Sequence, residues 1–334
     1  MNPSVVIVGA GAIGAWIGDA LDRAGWSVSM VARGATLEAL HTAGLRVARD
    51  GATRTSWPQA GTAAQIGARD YVVLAVKAQF LPALAPELAP LIGADTVVIS
   101  ATNGIPWWFL QDFDGPLAGR LLESVDPDGS QAQVFPKDRT LGSVIHASVR
   151  SSSPAHAEVV AADRLMLGRP NGASSPQLAA VVQALQAGGI NARTSNDIRS
   201  DVWAKLWGNM TMNPLSALTR CGTARMLANP QVRELCICMM DEMQRCARRL
   251  GVPTAMTPAQ RIEVTERLGD FKTSMLADLE AGRPLEIDPQ LGAVVEIARL
   301  LQVPAPFMQS VLGLTRLISP THPRESTRII GHAV

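Results

Sequence analysis

The sequence predicts an α/β protein in two parts, in which a domain built on a parallel β-sheet is followed by an all-helical domain. Short β-branched runs alternate with helical patterns over the first half of the chain, whereas only helical patterns follow from about residue 196. A length of 334 residues suits two domains of roughly 150 residues each. We therefore predict a first domain over residues 1–195 and a second over residues 196–334.

The strand candidates of the first domain are apolar runs with little internal polar alternation, which is typical of strands buried on both faces of a parallel sheet. They are Ser4–Gly9, Ser27–Val31, Tyr71–Lys77, Thr96–Ala101 and Leu141–Val149. The stretch from Arg46 to Trp57 alternates weakly and is interpreted as a hairpin.

Helical patterns separate these runs and fill the second domain. In the first domain they cover Ala12–Ala24, Thr36–Thr42, Phe80–Ile92 and Ser174–Ala187, and in the second Asp201–Leu218, Lys272–Ala281 and Pro289–Gln302. Asn229-Pro230 and Thr257-Pro258 each read as an N-cap followed by proline at the first helical position, and Gly251 closes the first of these two helices. The tail after Ser319 is predicted to be peripheral.

Composition excludes several classes of protein. Thirty basic against 29 acidic residues leave a formal net charge of +1, whereas a nucleic-acid binder or a polybasic membrane protein needs a one-sided field. We find no uncharged apolar run of the ~20 residues that a transmembrane helix needs, and no basic residue precedes the apolar start at Val5 as in a signal peptide. The four cysteines lack zinc-site spacing, so we expect no metal and a cytoplasmic protein with reduced thiols.

A glycine-rich turn lies between the first strand and the first helix. It reads Gly9-Ala10-Gly11-Ala12-Ile13-Gly14. In a dinucleotide-binding Rossmann domain, the first glycine of this pattern permits the tight turn, the second lets backbone approach a pyrophosphate, and the third allows close helix–strand packing. Its position after a strand and before a helix favours a nucleotide site over a purely structural turn.

The end of the second strand indicates which nucleotide binds. An NAD-type site places an acid there to accept a hydrogen bond from the ribose 2′-hydroxyl. The stretch from Ser29 to Thr36 contains no acid but does contain Arg33, whose guanidinium can pair with a 2′-phosphate. We therefore predict NADP(H), the alternative being a solvated surface arginine.

Two further features follow strands, where an α/β sheet gathers its ligands. Lys77 follows the third strand candidate and either contacts the cofactor or covers the strand edge. Asn103-Gly104 follows the fourth and is also a common turn dipeptide.

The segment from Trp203 to Leu215 carries the catalytic signal. Lys205, Asn209 and Asn213 are spaced four apart, so they form one polar stripe on a helix whose other faces are apolar. A buried lysine and two amides are costly unless they contact a ligand or each other. The alternative is a surface lysine with its stem laid over apolar groups.

A second polar segment runs from Lys272 to Asp288. Ser274 stands near a helix start, where its hydroxyl and neighbouring N–H groups could hold a carboxylate, and Glu286 lies in an apolar-flanked turn after the helix. Taken alone, these residues are better explained as an N-cap serine and a solvated acidic loop.

Together, the segments resemble the ketopantoate reductase family (2-dehydropantoate 2-reductase). The shared motifs are, in chain order, the GxGxxG turn, V-K-A-Q, N-G, K-L-x-x-N-x-x-x-N-P-L, S-M-x-x-D and G-R-x-x-E-I-D. The resemblance implies a Rossmann domain followed by a helical domain, with the substrate in the cleft between them. It also implies NADPH-dependent reduction of a 2-oxo acid to a 2-hydroxy acid in pantothenate biosynthesis.

The resemblance also implies roles for individual residues. The general acid falls on Lys205 and the substrate-holding residues on Asn209, Asn213, Ser274 and Asn103. The nicotinamide-side contacts fall on Lys77, Asn103, Ala147 and Glu286, and Glu286 would also help to set the charge of Lys205. An ordinary lysine pKa of ~10.4 keeps Lys205 protonated at neutral pH, as proton donation requires.

Three departures from the family pattern bear on the substrate. A bulky stretch, Trp107-Trp108-Phe109, follows Asn103-Gly104 beside the expected nicotinamide site. Thr223 stands where the family often has a further substrate-binding asparagine, and Phe271 stands where some members place one. A larger or more apolar 2-oxo acid than ketopantoate is therefore a second hypothesis.

Rival functions remain open at this point. The short-chain dehydrogenase motif is absent, because Ala75 rather than lysine follows the only tyrosine, Tyr71, by four residues. A 3-hydroxyacid or opine-type dehydrogenase shares the expected architecture, and a non-catalytic NADP(H)-binding sensor would need no Lys/Asn stripe. Val232–Met243 could form either a homodimer face or domain core.

Overall fold

The computed structural model describes residues 2–252 and 254–319, which form two compact units. The first unit runs to Val202, apart from Gly115–Leu117 and Leu122–Ser124, which belong to the second. The tail beyond Ser319, predicted to be peripheral, lies outside the described residues. The domain boundary after residue 195 stays a prediction.

Ten strands of the first unit form one sheet. They are β1 Ser4–Val8, β2 Ser27–Val31, β3 Leu45–Arg49, β4 Ala52–Ser56, β5 Gln59–Gly61, β6 Tyr71–Leu74, β7 Val97–Ser100, β8 Thr140–Ser153, β9 His156–Gly168 and β10 Ala192–Thr194.

The central strands of the sheet are parallel. The strand order is β4-β3-β9-β8-β7-β6-β1-β2-β5, with β10 paired to β9, and only the β3–β4 and β8–β9 pairs are antiparallel. In β1, Val5, Val6 and Ile7 are wholly buried, as expected for strands covered on both faces. The predicted parallel sheet is confirmed.

The helices of the first unit connect these strands. They are α1 Ala12–Arg23, α2 Gly34–Ala43, α3 Ala63–Ile66, α4 Leu81–Leu88, α5 Ser130–Val134 and α6 Pro176–Ala187. A longer helix, α7 Ile198–Thr219, begins in the first unit and continues into the second.

Turn residues and prolines determine the structure of two segments of the first unit. The predicted hairpin over Arg46 to Trp57 is confirmed, and Asp50-Gly51 at its tip has positive φ at both residues, as a type I′ turn requires. The single helix predicted over Phe80–Ile92 is wrong, because 3₁₀ turns at Ala78–Phe80 and Ala89–Leu91 flank α4. Proline cannot donate the helix hydrogen bond, and this stretch contains three prolines.

The second unit consists of helices, as predicted. After α7 come α8 Thr223–Leu227, α9 Pro230–Leu250, α10 Pro258–Arg267, α11 Ser274–Glu280, α12 Ala293–Leu300 and α13 Pro306–Ile318, with a π-helical turn at Asp288–Gly292 before α12. The predicted caps are confirmed: the Asn229 side chain accepts hydrogen bonds from the first turn of α9, and Thr257 forms a capping box with Gln260.

Helix α9 supplies much of the core of the second unit. Cys236, Met239, Met240 and Met243 are wholly buried on it. This burial supports the core interpretation of Val232–Met243 over the dimer face. Within residues 2–252 and 254–319, no helix is long and apolar enough to cross a membrane.

Candidate active site

The glycine turn after β1 has the geometry that its sequence predicts. Gly9 adopts φ +96°, and its N–H donates to the carbonyl of Val31 at 3.0 Å. A Cβ at Gly14 would lie 1.9 Å from the Gly9 carbonyl oxygen, so only glycine lets α1 approach this closely. Gly9 therefore sets the turn, and Gly14 sets the packing of the helix against it.

Gly11, by contrast, faces open space. A Cβ there would meet no atom within 4 Å, and Gly11 forms the N-cap of α1 without a side-chain hydrogen bond. No acidic residue lies in the first turn, so its unpaired N–H groups and the positive end of the helix dipole favour an anion. The turn thus fits the pyrophosphate of a dinucleotide, with Ala10, Ala12 and Ile13 supplying backbone around it.

Arg33 follows the end of β2. It is exposed and forms the N-cap position of α2, so its guanidinium is accessible to a ligand. No carboxylate occupies the stretch between Ser29 and Thr36. This arrangement suits a 2′-phosphate better than a free 2′-hydroxyl.

Lys77 and Asn103 lie at the same sheet edge as the glycine turn. They follow β6 and β7, and β1, β6 and β7 are adjacent parallel strands whose carboxyl ends meet at one edge. Both side chains are half-buried, and Gly104 after Asn103 has φ +89°. Ala147 lies on β8, where the pairing with β9 shifts register between His146 and Ala147.

The bulky stretch after Asn103-Gly104 belongs to the hydrophobic core of the first unit. Trp107, Trp108 and Phe109 are all buried, at 4%, 1% and 0% exposure. The Trp108 indole N–H donates to Ser100 Oγ at 2.8 Å, and the Trp107 ring lies 5.1 Å from that of Phe135. These three side chains therefore have a packing role, and the position of the stretch beside the nicotinamide site stays a prediction.

The stripe on α7 is polar on an otherwise buried helix. Lys205 and Asn209 are half-buried and Asn213 is 6% exposed. Trp207 and Met210 on the other faces are 2% and 0% exposed. The amphipathic pattern predicted from the four-residue spacing is present in the structure.

The electrostatic environment of Lys205 differs from that of an ordinary lysine. Burial lowers the pKa of Lys205 to about 8, while the negative charge of Glu286 acts in the opposite direction. Glu286 is half-buried between Leu285 and Ile287, which are 5% and 2% exposed. The amine is still mostly protonated at neutral pH, but it releases its proton far more readily than a lysine in water.

Asn213 has a partner that the sequence did not indicate. Its amide nitrogen donates to Gln290 Oε1 at 2.8 Å, and Gln290 is 1% exposed. Gln290 lies in the π-helical turn that follows Glu286, and such turns are frequent at functional sites. In the sequence, Gln290 is a single glutamine among apolar residues, four positions after Glu286. No motif spacing links that position to Asn213.

Ser274 is the first residue of α11 and is exposed. The N-cap is Thr273, whose hydroxyl accepts from the Leu276 N–H at 3.2 Å, so the N-cap interpretation of Ser274 is wrong. The Ser274 hydroxyl is thus not used in capping and is accessible to a ligand.

Thr223 has a structural role at the position where asparagine was expected. It is 1% exposed, donates to the Gly269 carbonyl at 3.1 Å and accepts from the Phe271 N–H at 3.1 Å. Phe271 is 37% exposed. Thr223 therefore ties the start of α8 to the loop before α11.

The predicted residues fall into two sets. The glycine turn, Arg33, Lys77, Asn103 and Ala147 belong to the first unit, whereas Lys205, Asn209, Asn213, Ser274 and Glu286 belong to the second. Within the second unit, Lys205 and Glu286 interact electrostatically. A protonated amine on a largely buried helix, with a carboxylate from another segment near it, can stabilise a developing oxyanion and deliver a proton to it.

Comparison with protein families gives matches over both units. The model for "Ketopantoate reductase PanE/ApbA" matches residues 5–172, and the model for its C-terminal region matches residues 197–319. Together they cover well over half of the chain.

Individual relatives agree with the family models. A 2-dehydropantoate 2-reductase of Mesorhizobium japonicum is 40% identical over 94% of this chain and 97% of its own length. The crystal structure of a putative ketopantoate reductase from Ralstonia solanacearum superposes with a TM-score of 0.91 at 44% identity, covering 95% of this chain and 98% of its own. A 2-dehydropantoate 2-reductase structure from Methylococcus capsulatus gives a TM-score of 0.80 at 25% identity, over 94% and 96%.

Proposed function

Because the chain belongs to the ketopantoate reductase family, we propose that it reduces 2-dehydropantoate, or a close 2-oxo acid analogue, to the 2-hydroxy acid with NADPH. The observation that carries the proposal is Lys205, a half-buried amine with a pKa of about 8 beside Glu286. A packed, apolar helix has no structural need for that amine. Family membership favours this reaction over the 3-hydroxyacid, opine-type and sensor alternatives.

The first unit supplies the nucleotide-binding groups. We assign the backbone of the Gly9–Gly14 turn to the pyrophosphate and Arg33 to the 2′-phosphate, with Lys77, Asn103 and Ala147 as further contacts. Bound NADPH would supply the hydride that reduces the C2 carbonyl carbon. The open space at Gly11 and the uncapped start of α1 support this assignment.

The second unit supplies the acid chemistry. Lys205 stabilises negative charge on the carbonyl oxygen through its ammonium group and then transfers a proton from Nζ to that oxygen. Glu286 holds the amine in its protonated form before the reaction, because its negative charge raises the pKa of Lys205. Glu286 is also assigned a cofactor contact on the nicotinamide side.

The amides and the hydroxyl orient the substrate. We assign Asn209 and Asn213 to the hydroxyl or carbonyl groups of the substrate and Ser274 to its carboxylate. The bond from Asn213 to Gln290 fixes the Asn213 carboxamide before any ligand arrives. Preorganised polar groups of this kind lower the cost of ordering the site in the transition state.

The burial of the bulky stretch bears on the choice between ketopantoate and a larger or more apolar 2-oxo acid. Trp107, Trp108 and Phe109 are buried in the first unit's core, so their size gives no reason to expect an enlarged substrate. Ketopantoate is therefore preferred over a larger or more apolar acid.

A substrate panel tests the proposal. NADPH oxidation is followed at 340 nm with ketopantoate and with 2-oxo acids that carry larger apolar or polar side chains. We expect turnover that is fastest with ketopantoate. Activity confined to another 2-oxo acid would keep the chemistry and reject the substrate, and no turnover with any 2-oxo acid would reject the reductase.

We also propose that the protein is located in the cytoplasm and forms a homodimer. Four free cysteines support a reducing compartment. On α13, Leu314 and Leu317 are 54% and 81% exposed, which supports an association surface between two copies. Sedimentation equilibrium of the whole chain checks the dimer, and a monomer at micromolar concentration would contradict it.

A further inference from the structure

Arg261 on α10 is a half-buried arginine that has no acidic partner among the residues the structure describes. Its Nη1 donates to Thr265 Oγ1 at 3.0 Å, the one side-chain hydrogen bond that its guanidinium makes within the described part of the chain. No carboxylate of those residues lies within ion-pair distance of it. Desolvation lowers the pKa of Arg261, although the group remains charged. A half-buried guanidinium that keeps N–H donors and has no counter-charge is available to an anionic ligand.

Gly208 on α7 makes room for this guanidinium. A Cβ at Gly208 would lie 1.9 Å from Arg261 Nη2 and 2.8 Å from Cζ, so the guanidinium occupies the volume of a side chain at that position. Glycine in a helix interior costs about 1 kcal/mol relative to alanine. The close approach of Arg261 accounts for a glycine in the middle of α7.

The guanidinium of Arg261 lies beside the polar stripe of α7, which consists of Lys205, Asn209 and Asn213. Gly208 is three residues after Lys205 and one before Asn209, so its Cβ direction leans toward the turn that carries Lys205. Ala204 in the same turn is exposed, so solvent reaches the helix surface here. Arg261 is therefore placed next to the residues proposed to bind the substrate, on an accessible side of α7.

The local charges leave one positive charge unmatched. Lys205 is paired electrostatically with Glu286, whereas Arg261 has no such partner within residues 2–252 and 254–319. A 2-oxo acid carries one carboxylate, and a guanidinium fork binds a carboxylate with two parallel hydrogen bonds. Ser274, the residue that the family resemblance assigns to the carboxylate, offers only a neutral hydroxyl.

We propose that Arg261 is a substrate-binding and specificity residue that pairs with the carboxylate of the 2-oxo acid through the Nη2 side of its guanidinium. This inference rests on the proposed function, since it names the group that recognises the substrate's charge. Gly208 is then a positioning residue, because its lack of a side chain lets the guanidinium lie against α7.

The test compares a charged substrate with its neutral analogue in four proteins: the wild type, Arg261→Gln, Arg261→Lys and the matched control Arg267→Gln. Arg267 lies on the same helix and is exposed. We expect Arg261→Gln to raise KM for the 2-oxo acid roughly 10- to 100-fold, the scale of one hydrogen bond to a charged group, and to leave KM for its methyl ester unchanged. Arg261→Lys should recover part of the loss, and Arg267→Gln should match the wild type.

An equal loss for acid and ester would overturn the proposal, because it would show that Arg261 only supports the fold. An unchanged KM for the acid in Arg261→Gln would overturn it as well. Gly208→Ala provides a second route, since the added methyl group displaces the guanidinium while alanine favours the helix. This variant should show the same selective rise in KM for the acid, and a normal KM would contradict the positioning role.

Binding without turnover separates this inference from the proposed function. Calorimetric titration of oxalate, a small dicarboxylate, into the full chain with NADP⁺ measures anion binding even if no 2-oxo acid is reduced. We expect weaker oxalate binding by Arg261→Gln than by the wild type, by the same roughly 10- to 100-fold. Equal affinities would reject the anion site, whereas inactivity of the wild type on the whole panel would reject only the reductase.

Discussion

The turn after β1 and the stripe on α7 are both candidate ligand sites, but they are built from different parts of the chain. In the turn, the site is formed by backbone N–H groups and by the space that glycines leave. Gly9 permits the tight turn, Gly11 leaves room for a ligand, and Gly14 lets α1 pack closely against the turn. On α7, side chains form the site, and their protonation and hydrogen bonding depend on the residues packed around them. Burial lowers the pKa of Lys205 to about 8, and the negative charge of Glu286, some 80 residues away along the chain, opposes that shift.

A site built from backbone is therefore sensitive to the volume of a substituted side chain, whereas a site built from side chains is sensitive to charge. A substitution in the turn acts by filling or spoiling a volume. A substitution on α7 acts by changing a protonation state or removing a donor. The variants below separate these two kinds of sensitivity.

Removing the amine should have the largest effect. Lys205→Met keeps an apolar stem on α7 but removes the proton donor, so kcat should fall by about 10²- to 10⁴-fold. NADPH affinity, measured by fluorescence titration, should change little. Lys272→Met, at an exposed lysine, is the matched control. Near-normal turnover of Lys205→Met would remove Lys205 from the mechanism.

The two glycines of the turn should respond in opposite ways. A methyl group at Gly14 would lie 1.9 Å from backbone, so Gly14→Ala should destabilise the protein by roughly 1–3 kcal/mol and lower its Tm. Gly11→Ala meets no atom and has ordinary φ of −74°, so its Tm should stay close to that of the wild type. Its NADPH affinity should nevertheless fall about tenfold, because the methyl group stands where the phosphates approach. Equal Tm losses in the two variants would contradict this division of roles.

Removing the carboxylate should move a pH profile. Reduction needs protonated Lys205, so kcat/KM should fall as the pH rises through about 8. The charge of Glu286 raises that pKa, so Glu286→Gln should lower it and shift the falling limb to lower pH. Glu263→Gln, at an exposed glutamate, should leave the profile in place. A limb that stays fixed in Glu286→Gln would show that Glu286 does not set the charge of Lys205.

The smallest change is expected at the nucleotide's ribose end. Arg33→Gln removes one charge-assisted contact to the 2′-phosphate, so KM for NADPH should rise about tenfold. KM for NADH, which lacks that phosphate, should be nearly unaffected. A parallel rise for both nucleotides would assign Arg33 a general role rather than 2′-phosphate recognition.

Much of the fold could be predicted because its signals are local. The first strands are apolar runs bounded by glycine or polar residues, and Asn229-Pro230 and Thr257-Pro258 carry their capping chemistry in two residues. The missed strand β9 has a mostly exposed middle with charged residues, so its sequence lacks the apolar signal of the central strands. The pairing of β9 with β8 and β3 supplies its hydrogen bonds instead.

The candidate site was only partly predictable for a related reason. The four-residue spacing placed Lys205, Asn209 and Asn213 on one helix face, which follows from helix geometry alone. The roles of Gln290 and Thr223 could not be found this way, because each depends on a partner far along the chain. Arg261 reaches Gly208 with its guanidinium from α10, which packs on α8 and α9, and no local pattern predicts that approach.

Periodicity and turn chemistry act over a few residues, so the amino-acid sequence alone predicts the parallel sheet, the helical second half, the glycine turn and the polar stripe. Three further features depend on tertiary contacts: the burial of Trp107, Trp108 and Phe109 in the core, the hydrogen bond from Asn213 to Gln290, and the Lys205 pKa of about 8. Burial and long-range electrostatics depend on which distant segments pack together, and no local pattern contains that information.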